Sequence, residues 1–380
     1  MVRAYLYTLI WAAGTVVFIL LCSLAMGGAA RLLAKWRGLS RNRQEEVFAG
    51  YAFAAPWIVG FVIFVVAPTL ASLYWSFTSY RLPAPPVFVG LANYLKLLLR
   101  DMDFRAALLN TLYLTVFGLP AQMVVALALA LLLNQRIRGR GLYRAAFYMP
   151  VFLGTNAAVL LSWVFMLNAN TGFLNQILRL SIKVFPPLRI LMQIFIFVIE
   201  VSNAAFLGVQ TGNFTLLQRV WQTGLPGPER VPLWLEHPLW IKAAIILLMV
   251  WSCGNMMLIY LAALSNIPRE LQEAAEVDGA GPWQRFWHIT LPLLSPATFY
   301  NLIVGLIATM QMFEQPYVLL RDRPTLAQAG HTVVYYLWRA TFRFNEIGYG
   351  AAISWVLTVL IMIITLIQFR LERRWVHYEL

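Results

Sequence analysis

Charged side chains are scarce in this chain. Of its 380 residues only 12% are Asp, Glu, Lys or Arg, while 61% are hydrophobic. Soluble domains carry charge on about a quarter of their residues, so lipid must solvate most of this chain. Cysteine is nearly absent. Cys22 and Cys253 both fall in apolar runs, which excludes a disulfide framework and reads as two small buried hydrophobes. Four histidines (His237, His288, His331, His377) show no H-E-x-x-H or paired-ligand spacing, so no metal centre is indicated. No G-x-x-x-x-G-K-[ST] sequence occurs, which excludes ATP binding in a P-loop. Nor is there a G-x-S-x-G element in a supporting context.

What the chain has instead is apolar runs. Crossing a bilayer takes roughly 20 apolar residues in a helix. Runs near 5–26, 51–77, 108–134, 145–167, 241–264, 292–313 and 348–369 meet that test. The expected fold is therefore an all-α polytopic membrane protein with about seven transmembrane helices. Residues 190–199 approach spanning length but are flanked by Pro186-Pro187 and followed by Glu200 and Asn203. They are assigned to a helix lying in the outer interface or packed on a neighbouring chain, within a long extracytoplasmic excursion over 168–239.

The formal charge of +13 comes from short loops between apolar runs, not from a groove with interleaved aromatics, so membrane topology explains it and nucleic acid does not. Cytoplasmic loops are enriched in Lys and Arg. Arg31, Lys35, Arg37, Arg41 and Arg43 follow the first run; Arg136, Arg138, Arg140 and Arg144 follow the third; Arg370, Arg373 and Arg374 follow the last. Counting spans alternately puts all three segments on one side together with the loop at 265–292, leaving the N-terminus outside and the C-terminus in the cytoplasm. Cleavage of the first run as a signal peptide would invert every later loop against its charge, so it is read as a retained anchor.

The loop at 265–292 is polar yet ordered. Pro268 suits the first turn of a helix, with Asn266 ahead of it as a cap. Leu271, Ala274 and Ala275 recur on one side, acidic residues surround the rest, and Arg269 can pair with Glu273 four residues on. Gly279 stands where a helix ends in the left-handed conformation. Gly281-Pro282 then opens a second turn bearing Trp283, Phe286 and Trp287. A loop resting on the membrane would explain the aromatics but not Glu273 and Glu276, which an anionic cytoplasmic leaflet repels. A protein partner explains both.

The order Glu273-Ala274-Ala275, Asp278-Gly279-Ala280, Ile289, Leu291-Pro292 resembles the EAA loop of ABC importer permeases, the membrane subunits of binding-protein-dependent uptake systems. Pro56, Gly60-Phe61, Pro68, Ser76-Phe77-Thr78, Phe88-Val89-Gly90-Leu91, Asn93-Tyr94, Asn110-Thr111, Phe313, Tyr317 and Gly348-Tyr349-Gly350-Ala351 are similar to the carbohydrate branch typified by the maltose permease. The resemblance covers roughly 50–375. It implies a type I importer fold: a permease domain over 49–375 with a six-helix core, an extracytoplasmic insertion at about 180–230, and an extra N-terminal helix with a basic linker over 1–48. It implies that Glu273, Ala274, Ala275, Asp278, Gly279 and Ala280 dock on a separate ATPase. It also implies a second permease subunit, two ATP-binding subunits and an extracytoplasmic solute-binding protein, with ATP and Mg held by the ATPase and no cofactor on this chain. Where relatives carry a Thr-x-Gly-Gly-Pro turn, this chain reads Leu320-Arg321-Asp322-Arg323-Pro324, so docking of the binding protein differs there.

Polar residues inside spans face cavities or other helices. Candidates are Thr155, Asn156, Ser252, Asn255, Asn301, Gln311 and Glu314, with Asn255 and Gln311 preferred for sugar hydroxyls and Trp251 or Phe313 for stacking on a sugar face. The alternative is inter-helix hydrogen bonding, worth about 0.6 kcal/mol per bond. An ion-coupled secondary transporter is the rival function; it needs carboxylates deep in spans, and only Glu200 and Glu314 come near.

Overall fold

The computed structural model describes residues 2–376 except 136–137, 154–156, 228–229, 322 and 324–325. The chain folds as two compact units, Met1–Thr78 and Ser79–Leu380. The first is a helical hairpin of α1 (Val2–Trp36) and α2 (Arg41–Ser76). Gly27 sets its spacing: a Cβ there would lie 2.9 Å from the Phe48 carbonyl, so the two backbones meet where only glycine fits. The first unit ends after the second helix because α2 pairs with α1.

The second unit contains, in order, α3 (Ala92–Leu99), α4 (Met102–Asn134), α5 (Arg140–Leu153) and α6 (Ala157–Met166). The excursion then holds α7 (Phe173–Val184), α8 (Pro187–Thr211) and α9 (Thr215–Thr223). After it come α10 (Ile241–Trp251), α11 (Gly254–Asn266), α12 (Arg269–Val277), α13 (Pro282–Leu293), α14 (Ser295–Met310), α15 (Glu314–Leu320), α16 (Val333–Trp338) and α17 (Ile347–Glu372). Among the described residues five helices are long and apolar enough to cross a membrane, and three bent pairs (α5–α6, α10–α11, α13–α14) pass the same test jointly. Every one of the seven expected runs falls in one of these. The remaining one is α8, whose 25 residues exceed the short stretch read from sequence.

Proline shapes these rods. In α2, α4 and α13 a π-helical turn (62–66, 114–118, 286–290) ends two residues before Pro68, Pro120 and Pro292. A proline ring clashes with the carbonyl four residues back and offers no N–H; widening that turn relieves both problems.

Within the second unit, α4 and the α10–α11 pair run side by side in one direction. Lys242 Nζ lies over the Tyr113 ring, Gly118 abuts Met249, and Leu133 shares a core with Leu264. The end opposite α12 is tied by polar bonds. Asp101 caps α4 and accepts the Tyr336 and Tyr349 hydroxyls. Fully buried Asn110 donates to the Gln328 and His331 carbonyls at 2.9 and 3.0 Å. Because α17 starts at Ile347, with Tyr349 of its first turn beside Asp101, it finishes at the α12 end, where Phe299 meets Phe369 and Trp375. Asn134, the loop 267–292 and the basic segment Arg370–Arg374 therefore share one end, as the charge pattern requires.

Helix α8 does not follow α4 and α10. Asn203 donates to the Leu239 carbonyl, Glu200 accepts from Trp240 Nε1, and Gln210 donates to the carbonyls of Ala106 and Gln328. All these partners lie at the end opposite α12, so α8 lies along that end.

Candidate functional site: coupling loop and polar cavity

Pro268 is the N-cap of α12 and Arg269 its first residue; Asn266 instead closes α11. The expected cap by Asn266 is thus not formed, since α11 runs two residues past the apolar run at 241–264. Asp278 ends α12, and Gly279 follows with φ +82°, the left-handed conformation expected of it. The Gly279 N–H donates to the Glu276 carbonyl and the Ala280 N–H to Ala275, which satisfies two of the carbonyls that a helix end leaves free. Gly281 then caps α13, its N–H donating to Gln284 Oε1 at 2.9 Å.

Among the described residues Arg269 and Glu273 form no ion pair. The pairing that forms is Glu276 with Arg285 at 3.0 Å, which joins α12 to α13. It crosses the Gly279–Gly281 turn and so lies beyond the reach of four-residue spacing. Trp283, Phe286 and Trp287 stack into one cluster with ring centroids 5.6–5.8 Å apart. No residue of α12 is buried, and Val277 is 87% exposed. Glu273, Ala274, Asp278 and Gly279 stand open, while Ala275 and Ala280 are half-buried. Leu271, Ala274 and Val277 present an open aliphatic face beside the carboxylates.

A cavity of about 240 Å³ lies between α4, α10, α11, α14 and α15. Its polar lining is Gln122, Ser252, Asn255, Asn301, Thr309 and Gln315, and no charged residue lines it among the described residues. The α10–α11 axis bends by 45° at Ser252-Cys253, which places Asn255 in the first turn of α11 facing this space. Gly254 permits the bend to nest against α5, since a Cβ would lie 2.9 Å from the Phe147 carbonyl.

The sequence-derived pathway residues do not all meet here. Ser252, Asn255 and Asn301 do. Gln311 caps α14 and is exposed away from the cavity lining. Trp251 packs edge-on against Trp163 at 5.4 Å, and Phe313 stacks on Tyr317 at 5.1 Å, so neither ring lines the cavity. Both rings, preferred from sequence for stacking on a sugar face, pack on other aromatic rings of the chain. Glu314 is an exposed first residue of α15, and Thr155 and Asn156 lie outside the described residues. Gln122 and Gln315 were missed. A lone amide in the apolar run of α4, Leu119-Pro120-Ala121-Gln122, is the signal that finds the first. Lys242 is buried under the Phe206 and Tyr113 rings at 4.9 and 5.6 Å and stays off the cavity.

A hinged pair of short exposed helices at one end of a bent-helix bundle, with an uncharged polar cavity behind it, is the architecture of an importer permease. The chain belongs to the family described as binding-protein-dependent transport system inner membrane component, whose signature matches residues 56–377. It is a multi-pass membrane protein of that family, and membership sets aside the ion-coupled carrier. It is 33% identical over 340 residues, 90% of this chain and 95% of the relative, to the probable ABC transporter permease protein YesP of Bacillus subtilis (strain 168). It is 31% identical to the arabinooligosaccharides transport system permease protein AraP of the same organism, over 89% of this chain and 91% of that one. It is 27% identical to the trehalose/maltose transport system permease protein MalF of Thermococcus litoralis, over 88% and 97%. Among solved structures, a bacterial alginate ABC transporter in complex with alginate pentasaccharide-bound periplasmic protein matches with a TM-score of 0.63. That match is at 23% identity, over 88% of this chain and 96% of that chain, which is a likeness of fold.

Proposed function

We propose that this chain is the permease subunit of an ATP-driven importer for an uncharged sugar or polyol. The observation that carries this reading is the unburied α12, held in shape by its own glycine turn and the Glu276–Arg285 pair while its aliphatic face stays open. A separate ATPase, holding ATP and Mg, covers that face through Glu273, Ala274, Ala275, Asp278, Gly279 and Ala280. A second permease completes the pathway, two ATP-binding subunits drive it, and an extracytoplasmic solute-binding protein delivers the solute. The N-terminus lies outside and the C-terminus in the cytoplasm of a bacterial or archaeal inner membrane. The sugar reading is supported by the amide and hydroxyl lining of the cavity, since Asn and Gln offer both donor and acceptor to hydroxyl groups. The relatives named for arabinooligosaccharides and for trehalose and maltose point the same way.

The test is uptake into proteoliposomes holding the complete complex with its binding protein. ATP-dependent uptake that Ala274→Trp abolishes, with the complex still assembled, is expected. Uptake that follows a proton gradient and ignores ATP would overturn the reading.

A further inference from the structure

We propose that the turn between α7 and α8 is a binding site for the headgroup of an anionic phospholipid. A cavity of about 340 Å³ there is lined by Arg179, Lys183 and Arg189 together with Ile182. Three of its four lining residues are cations. No Asp or Glu occurs between Asn168 and Ile199, and among the described residues none of the three cations is in an ion pair. Their neighbours are backbone carbonyls: Arg179 donates to those of Ala169 and Asn170, and Arg189 to that of Ile182. These bonds fix the guanidinium groups in place and use only part of the five N–H donors each carries. Uncompensated cations fixed around one cavity call for an anion.

The surroundings say which anion. On α7 the residues Phe173, Ile177, Leu180 and Val184 form one exposed apolar stripe, and Val184 is 75% exposed. On α8 the polar residues Glu200 and Asn203 are buried, whereas Ile190, Leu191, Ile194, Phe195 and Val198 are exposed. Polar inside and apolar outside is the reverse of a helix facing water; it is the pattern of one facing hydrocarbon. An amphipathic helix at the bilayer surface seats its apolar face at the boundary of headgroups and acyl chains, with cations at phosphate level. A phospholipid whose phosphate enters the cavity and whose acyl chains run along the Leu180, Val184 and Leu191 side chains satisfies both halves of the surface. A soluble anion satisfies only one.

The experiment uses the complete complex extracted from vesicles of equal parts phosphatidylglycerol and phosphatidylcholine, with retained lipid counted by native mass spectrometry. Phosphatidylglycerol is expected to be retained in preference to phosphatidylcholine. Each cation removed in the series R179Q, K183Q and R189Q should lower that preference by about fivefold. The variant R179K/R189K, which keeps the charge, should keep the preference and so separates loss of charge from loss of fold. Equal retention of the two lipids, or an unchanged preference in the triple variant, would overturn the proposal. So would release of the lipid by inorganic phosphate, which would assign the site to a free anion. Unchanged lipid retention with weakened stimulation by the binding protein would assign the cations to that protein, and would overturn the proposal equally.

Discussion

The loop at 267–292 and the excursion at 168–239 both interrupt the apolar helices, yet they are built in opposite senses. In the loop the short helix α12 buries nothing and shows carboxylates beside alanines. In the excursion the carboxylate of Glu200 is buried against Arg230 and Trp240, Asn175 is fully buried against Ala169, Pro232 and Trp234, and the apolar side chains stand outside. The loop leaves a mixed acidic and aliphatic face open, the excursion an apolar one. What a segment leaves uncovered therefore says more about its neighbour than its average polarity does.

The difference can be broken at its strongest point. Glu200→Ala leaves the fully buried Trp240 indole N–H without an acceptor, which costs about 1–3 kcal/mol, while the exposed Arg230 turns to water. A fall in melting temperature of the detergent-solubilised complex is expected, with the coupling loop unaffected in cross-linking to the ATPase.

A second change acts at the same end through pH. Burial, with Arg339 adding to it, holds the His331 pKa down at about 3, so the folded state keeps a neutral ring. The unfolded chain takes up the proton near the ordinary value of about 6.5. Stability from this group is thus full above about pH 6.5 and is lost as the pH falls from there towards 3. Thermal melts between pH 7 and pH 4 should show a steeper decline for the native chain than for His331→Gln.

At the loop the effects should be smaller on stability and larger on transport. Gly279→Val forces a β-branched residue into φ +82°, which costs about 1–2 kcal/mol, and confines the damage to the loop. Stimulated ATP hydrolysis should fall steeply while the melting temperature of the bundle holds. Smallest of all, Arg285→Gln removes a pair whose carboxylate is largely exposed, worth no more than about 1 kcal/mol. Its melting curve should overlay that of the native chain.

The same contrast explains what could be read from the sequence. Local rules located the loop: Gly279 adopts the predicted left-handed turn, and Gly281-Pro282 begins the second helix where expected. The seven apolar runs required only length and composition. What local spacing could not supply was the set of partners each side chain takes. Trp251 found Trp163, Phe313 found Tyr317 and Trp338, and Glu276 rather than Glu273 found an arginine. Asn255 and Ser252 reach the cavity because a bend at Ser252-Cys253 turns them there, whereas Gln311 sits just past the end of its helix. The length of α8 was hidden because Glu200 and Asn203 read as interruptions of an apolar run; buried and hydrogen-bonded, they are its inner face.

The bend at Ser252-Cys253 has a mechanical meaning. Helix α11 is 13 residues long, about 20 Å, with the bend and Asn255 at one end and Ile267-Pro268 leading straight into α12 at the other. It is a lever with its fulcrum beside the cavity and its handle in the exposed loop. A tilt of about 10° about that fulcrum carries the handle through about 3.5 Å, given the length of the rod. Asn255, one turn from the fulcrum, moves by only a fraction of that, so a coarse push on α12 becomes a fine adjustment of the polar lining.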